Sequence, residues 1–156
     1  MLPIAYIYGE DVFIEDCVFD NSTPEHTKPQ CAKKLVDHKV SVATFESNAA
    51  GTYYARDVEK LVKSLGGKCS IRTKRTVMNK QTRIEMASDG ILKHFYFKDK
   101  SLYKPSSQYG MMMRELVTYT RTGKVPHDDS PDGLSLLENE IRNLVGNQVT
   151  VFKRPF

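Results

Sequence analysis

The stretch from residue 40 to residue 74 constrains the fold more than any other. Val40 to Phe45 alternates well enough for a strand, and that strand delivers Glu46 at its carboxyl end. Ser47-Asn48-Ala49-Ala50-Gly51 follows as a small-residue turn. A helix then runs to about Leu65, with Tyr54, Val58, Leu61, Val62 and Leu65 on one face, and Gly66-Gly67 stops it. Residues 69–74 read as another strand, leading into a basic segment. A helix with one apolar face between two strands must bury that face against them, which points to an α/β domain.

The flanking segments fit the same class. Residues 2–8 and 12–19 read as two strands joined at Gly9-Glu10-Asp11, where the composition suits a hairpin turn. Asn21 to Pro24 is turn chemistry. A helix over 28–38 is expected, with Thr27 as its cap and Cys31, Ala32, Leu35 and Val36 inward. Asn79 can cap a helix through Leu92 that turns Ile84, Ala87, Ile91 and Leu92 inward. Phe95-Tyr96-Phe97 is a brief extended stretch, with Ser101-Leu102-Tyr103 as its suggested partner. Ser106 or Ser107 opens a helix through Met111, Met112, Leu116 and Tyr119, in which the methionine run is core filler. Gly123 to Pro126 breaks that helix, and Val149 to Phe152 makes a last short strand. No repeat, linker or low-complexity segment divides residues 1–156, so one domain is expected.

Composition narrows the functional classes. No apolar run approaches the ~20 residues that span a bilayer, and no signal peptide is visible at the start, so a cytoplasmic protein with no membrane role is expected. Cys17, Cys31 and Cys69 form no CxxC pair, and three thiols leave one unmatched in any disulfide scheme. Reduced structural cysteines are the expectation, which argues against a zinc site. The net charge is only +4, but between Lys68 and Arg83 lie six basic residues (Lys68, Arg72, Lys74, Arg75, Lys80, Arg83) and no acid. Such a cluster is either a solvated face or a surface for phosphates.

The acidic counterpart lies late in the chain. His127-Asp128-Asp129-Ser130-Pro131-Asp132-Gly133-Leu134 sets three aspartates beside a helix start. Ser130 suits the cap, Pro131 the first helical position, and Asp132 the positive first turn. Leu134, Leu137, Ile141 and Leu144 give that helix one apolar face. Asp128 and Asp129 read either as acids complementing the helix dipole or as ligands of a divalent metal. The second reading needs further oxygen donors, and Glu46 at a strand end is the nearest candidate. Two metal ions bridged by carboxylates can both activate water and stabilise a leaving oxygen in phosphodiester cleavage, and Mg²⁺ or Mn²⁺ prefers such hard ligands.

Three segments occur together in order: Phe45-Glu46-Ser47-Asn48-x-x-Gly51, Asn79-Lys80-x-x-Arg83-Ile84 and His127-Asp128-Asp129-Ser130-Pro131-Asp132. Together with the ending Phe152-Lys153-Arg154-Pro155-Phe156, they resemble the nuclease domain of the large terminase subunit of tailed bacteriophages. The resemblance implies an RNase H-like mixed sheet flanked by helices, and Mg²⁺- or Mn²⁺-dependent cutting of concatemeric double-stranded DNA during genome packaging in a bacterial host. It matches Glu46 to the second metal-binding acid of that family and the Asp128-Asp129 pair to the third. The acid on the family's first, central strand has no counterpart among these residues, and they hold no GxxxxGK[ST] loop of the ATPase motor that precedes the nuclease in that family. An N-terminally incomplete nuclease domain is therefore expected, with strand edges left unpaired.

The remaining residues take supporting roles in this reading. Lys74, Arg75, Lys80 and Arg83 would neutralise DNA phosphates, with Arg83 equally suited to pairing a buried acid. Asn48 and Gly51 would shape the turn behind Glu46, His127 would orient a carboxylate or touch phosphate, and Asp132 reads first as a helix N-terminal charge. The partners implied are DNA, the portal, the small terminase subunit, or the missing N-terminal part of the large subunit. The competing expectation is a non-catalytic remnant or split-protein piece that binds DNA or a packaging partner without cutting.

Overall fold

The computed structural model describes residues 1–47, 49–120 and 127–146. In chain order these form β1 (Leu2–Tyr8), β2 (Asp11–Val18), α1 (Pro24–Asp37), β3 (Val42–Glu46), α2 (Ala49–Ser64), β4 (Ser70–Lys74), α3 (Lys80–His94), β5 (Phe95–Phe97), α4 (Gln108–Thr118) and α5 (Asp129–Gly146). The class is mixed α/β, as the alternation of strand and helix patterns predicts. Asn48, Gly123 to Pro126 and Val149 to Phe152 lie outside the described residues.

The strands make two sheets rather than one. β1 and β2 form an antiparallel hairpin in which Gly9 takes a φ of 62°, a conformation open to glycine without steric cost. Their register shifts between Ile4 and Ala5, which leaves Glu15 as the extra residue of a bulge. β5 adds to the other edge of β2 in parallel, pairing Val12 with Phe95 and Ile14 with Phe97. The second sheet is the parallel pair β3 and β4, with Val42 beside Ser70 and Glu46 beside Lys74.

Helices cover both faces. α1 packs on α2 and β2, and α2 covers β3 and β4. Cys31, Ala32 and Leu35 of α1 meet Val58 and Val62 of α2 in one apolar cluster, which also takes in Val18 and Ala43. On the other side α5 packs on β1 and α3, and α4 packs on β2 and α5. There Val12, Ile14 and Cys17 bury against Phe95, Tyr109, Met112 and Leu134. Period-two alternation in β3 separates the two sides: Ala43 and Phe45 join the α2 cluster, while Thr44 donates to Glu140 of α5.

Several local expectations are corrected. α1 starts at Pro24, whose fixed φ suits a first turn, so Thr27 is an interior residue rather than a cap. Thr27 is buried and accepts a hydrogen bond from Tyr54 Oη at 2.9 Å. Leu92 is 85 % exposed, because the inward stripe of α3 runs through Arg83, Ile84, Ala87 and Ile91, and residue 92 lies a further 100° around the helix. Phe95–Phe97 pairs with β2, and Lys100–Leu102 is a 3₁₀ turn held by the Asp99 side chain instead of a partner strand. Gly51 belongs to the first turn of α2 rather than to the loop before it.

The expected start of the last helix also moves. α5 begins at Asp129, which makes Ser130 a helical residue and not the cap. Its N–H donates to Glu115 Oε1 of α4 at 2.7 Å, and its hydroxyl donates to Met112 O at 3.0 Å. An acid from a neighbouring helix thus satisfies one of the orphan donors at this helix start. Asn79 does cap α3 as expected, accepting from Gln81 N at 2.9 Å, and Ser107 caps α4. Met112 is fully buried, as core filler should be.

Candidate functional site: an acidic cluster at a groove between two sheets

The facing edges of β1 and β3 do not pair with each other. Between them lies a groove of about 730 Å³, walled by residues 1–7 on one side and 38–46 on the other. α1 closes it below and α5 above, through Leu35 and Leu136 among others. At one end Tyr6 Oη crosses the gap and donates to His38 O at 3.2 Å. Tyr6, near the end of β1, is thereby tied to the C-terminal end of α1, which leads into β3.

Glu46, Asp129 and Asp132 all line this groove. Glu46 arrives from the carboxyl end of β3, and the aspartates from the amino end of α5. The Glu46 carboxylate is exposed, and among the described residues no cation pairs with it. Its strand neighbour Lys74 turns instead to Glu140 Oε2 at 3.0 Å.

The aspartates are already partnered. Lys80 Nζ lies 2.6 Å from Asp128 Oδ1, 3.6 Å from Asp129 Oδ1 and 3.7 Å from Asp132 Oδ2. Partial burial works against the Lys80 charge, but the Asp128 hydrogen bond and the surrounding negative charges prevail and raise its pKa above the ordinary lysine value. Arg83 is buried, gives Nε and Nη2 to Asp132 Oδ1, and gives Nη1 to Met78 O at 3.3 Å. Three carboxylates thus face two cations at the amino end of a helix whose dipole also favours negative charge.

The predicted basic residues consequently divide. Lys80 and Arg83 spend their charge on the aspartates, and Lys74 on Glu140, whereas Arg75 is exposed. His127 is exposed immediately before the cluster. Glu140 and Glu115 carry structural contacts that the sequence reading did not single out. Glu140 has one available signal: Asp132, Leu136 and Glu140 recur at four-residue steps and so share a helix face.

The donor chemistry suits a hard cation only in part. Glu46 and Asp129 offer exposed carboxylate oxygens, the ligand type that Mg²⁺ and Mn²⁺ prefer. Among the described residues, however, no three histidine, cysteine, aspartate or glutamate side chains converge as a metal-holding group. Lys80 now supplies positive charge where a divalent ion would have to sit, so these residues do not make a complete cation site. Among the same residues no helix is long and apolar enough to cross a membrane. In comparisons with known proteins, no family profile matches this chain and no curated protein resembles it at a significant level.

Proposed function

We propose that this chain is the carboxyl-terminal part of an RNase H-like, metal-dependent endonuclease of the phage terminase type, acting on double-stranded DNA. The observation that carries the reading is that Glu46 and Asp129, some eighty residues apart in sequence, both line one groove, with Asp128 next to Asp129 in the chain. In this reading Glu46, Asp128 and Asp129 hold Mg²⁺ or Mn²⁺. What such a cation contributes is positive charge at the scissile phosphate and at the departing oxygen. The chain's own residues then have distinct tasks. Arg83 fixes Asp132 and with it the first turn of α5, Lys80 holds Asp128, Asp129 and Asp132 together, and exposed Arg75 would contact phosphate.

A second reading has a specific observation in its favour. With Lys80 seated among Asp128, Asp129 and Asp132, and with the groove beside Glu46 open, the chain on its own is a piece that binds DNA or a packaging partner without cutting it. A plasmid-nicking assay with Mn²⁺ separates the two. The nuclease reading expects nicking that Glu46→Ala abolishes. Nicking unchanged by that substitution defeats the assignment, and no nicking together with salt-sensitive DNA retention supports the second reading.

A further inference from the structure

Glu46 stands beside a lysine that does not serve it. The register of β3 and β4 sets Glu46 against Lys74, and the Ser47 N–H donates to Lys74 O at 2.8 Å, so the ladder is intact at that point. Residues matched across a sheet put their side chains on one face, with the strands ~4.8 Å apart. That face looks at α5: Phe45 turns to the α2 side, while Thr44 and Lys74 both meet Glu140. An acid and a base side by side on one face pair with each other by default. Here the Lys74 ammonium lies 3.0 Å from Glu140 Oε2 instead, and Glu46 keeps an exposed carboxylate with no cation on it among the described residues. The reason lies in the surroundings of Glu140. Its side chain is only 20 % exposed, and its other oxygen accepts from Thr44 Oγ1 at 3.3 Å. Opposite charges attract more strongly in partial burial than in open water, so the ammonium goes to the more withdrawn acid. Lys74 and Glu140 line the groove together with Glu46 and Asp129.

We propose that Glu140 is the positioning residue of the Glu46 site: by holding the Lys74 ammonium it leaves the Glu46 carboxylate without a counter-charge in the groove. α5 thereby acts twice on the same place. Its first turn brings Asp129 to the groove. Glu140, eleven residues later and ~16 Å along the helix axis, draws off the cation that would neutralise the acid on β3. Seating of α5 and unmasking of Glu46 are therefore one event. With α5 displaced, Lys74 falls back on its ladder neighbour, and the groove loses a free acid. That Glu46 is a working acid rests on the nuclease reading; that Lys74 is kept from it does not.

Carbodiimide coupling of the full chain reads this pairing directly. The reagent joins a lysine nitrogen to a carboxylate as an amide when the two are in contact, and mass spectrometry of the digest names the residues joined. It needs neither DNA nor a metal, so it gives its answer whether or not the chain nicks plasmid. In the wild type, the Lys74–Glu140 link is expected to dominate over Lys74–Glu46. Glu140→Gln keeps the side chain's size and an oxygen for Thr44, and should raise the Lys74–Glu46 link about fivefold or more. Thr44→Val removes the other contact of Glu140 but leaves the charge pair, so it should produce no such rise. That variant separates the choice of partner from a general loosening of α5. The proposal is overturned by a wild type in which Lys74 joins Glu46 as readily as Glu140, a result that depends on no substitution. It is equally overturned by the absence of a rise in Glu140→Gln, or by an equal rise in Thr44→Val.

Discussion

Arg83 donates two of its guanidinium nitrogens to a single oxygen of Asp132, and both side chains are largely withdrawn from water. α3 and α5 are joined at this point by a charge pair that neither helix can satisfy alone. Removing Arg83 leaves the partly buried Asp132 with only the longer contact to Lys80 at 3.7 Å. Arg83→Ala should cost about 1–3 kcal/mol of unfolding free energy, read as a lowered urea midpoint at unchanged m-value. A cost below about 1 kcal/mol would mean that the pair behaves as a surface bridge.

Lys80 holds three aspartates that would otherwise repel one another. Lys80→Met should lower stability in buffer and make the protein responsive to Mn²⁺, with a gain of about 2.7 kcal/mol at one hundred times the dissociation constant. The wild type should respond far less, because its own ammonium competes. Equal Mn²⁺ shifts in the two proteins would show that Lys80 does not hold the cation's place. The same contact has a pH signature. Its folded pKa lies above the free value of 10.5, so its contribution is complete below that pH and is lost as pH rises through the folded value. Lys80→Met should lack that alkaline loss.

Asp16 sets an acid-side signature. Partial burial pushes its pKa up, but Lys34 Nζ at 2.8 Å, the Cys17 N–H at 2.8 Å and His38 Nε2 at 3.1 Å outweigh it and hold the carboxyl below 3.8. A depressed acid stabilises the fold above its unfolded pKa and stops doing so as pH falls through the folded one. Stability should therefore decline below about pH 3.8, and Asp16→Asn should flatten that part of the curve. An unchanged slope in denaturation curves across that range would remove Asp16 from the account.

Tyr109 ties three elements through one oxygen. Its hydroxyl donates to Ile14 O at 2.9 Å and accepts from Lys98 N at 3.0 Å, so it serves β2, the segment after β5 and α4 together. Tyr109→Phe keeps the ring but strands two backbone groups, at a cost of about 1–3 kcal/mol. Thermal unfolding would register this as a drop of several degrees, and an unaltered midpoint would mean that water replaces the hydroxyl without loss.

Sequence legibility followed the range of the physics. Elements set by local rules were readable: the β1–β2 hairpin at Gly9, the helix stopped by Gly66, the cap at Asn79, the core position of Met112. Those decided by distant partners were not. Nothing near Phe95 announces that it pairs in parallel with Val12, and nothing near Ser130 announces that Glu115 takes its N–H. Leu92 looked inward because periodicity gives the width of an apolar stripe but not its limit. The acidic side of the candidate site was legible as Glu46 and Asp128-Asp129. Its neutralisation by Lys80 was not, since charges in a basic run give no sign of which acids they will meet.

Glu140 reaches from α5 to Thr44 on β3 and to Lys74 on β4. Among the described residues no backbone ladder joins the two sheets, and this polar contact and the α1–α2 packing on the opposite side connect them. The two sheets are thus joined by apolar packing on the α1–α2 side and by an ion pair and a hydrogen bond, contacts that salt can weaken, on the α5 side. Loss of the Glu140 carboxylate would therefore remove two ties between α5 and the β3–β4 pair at once.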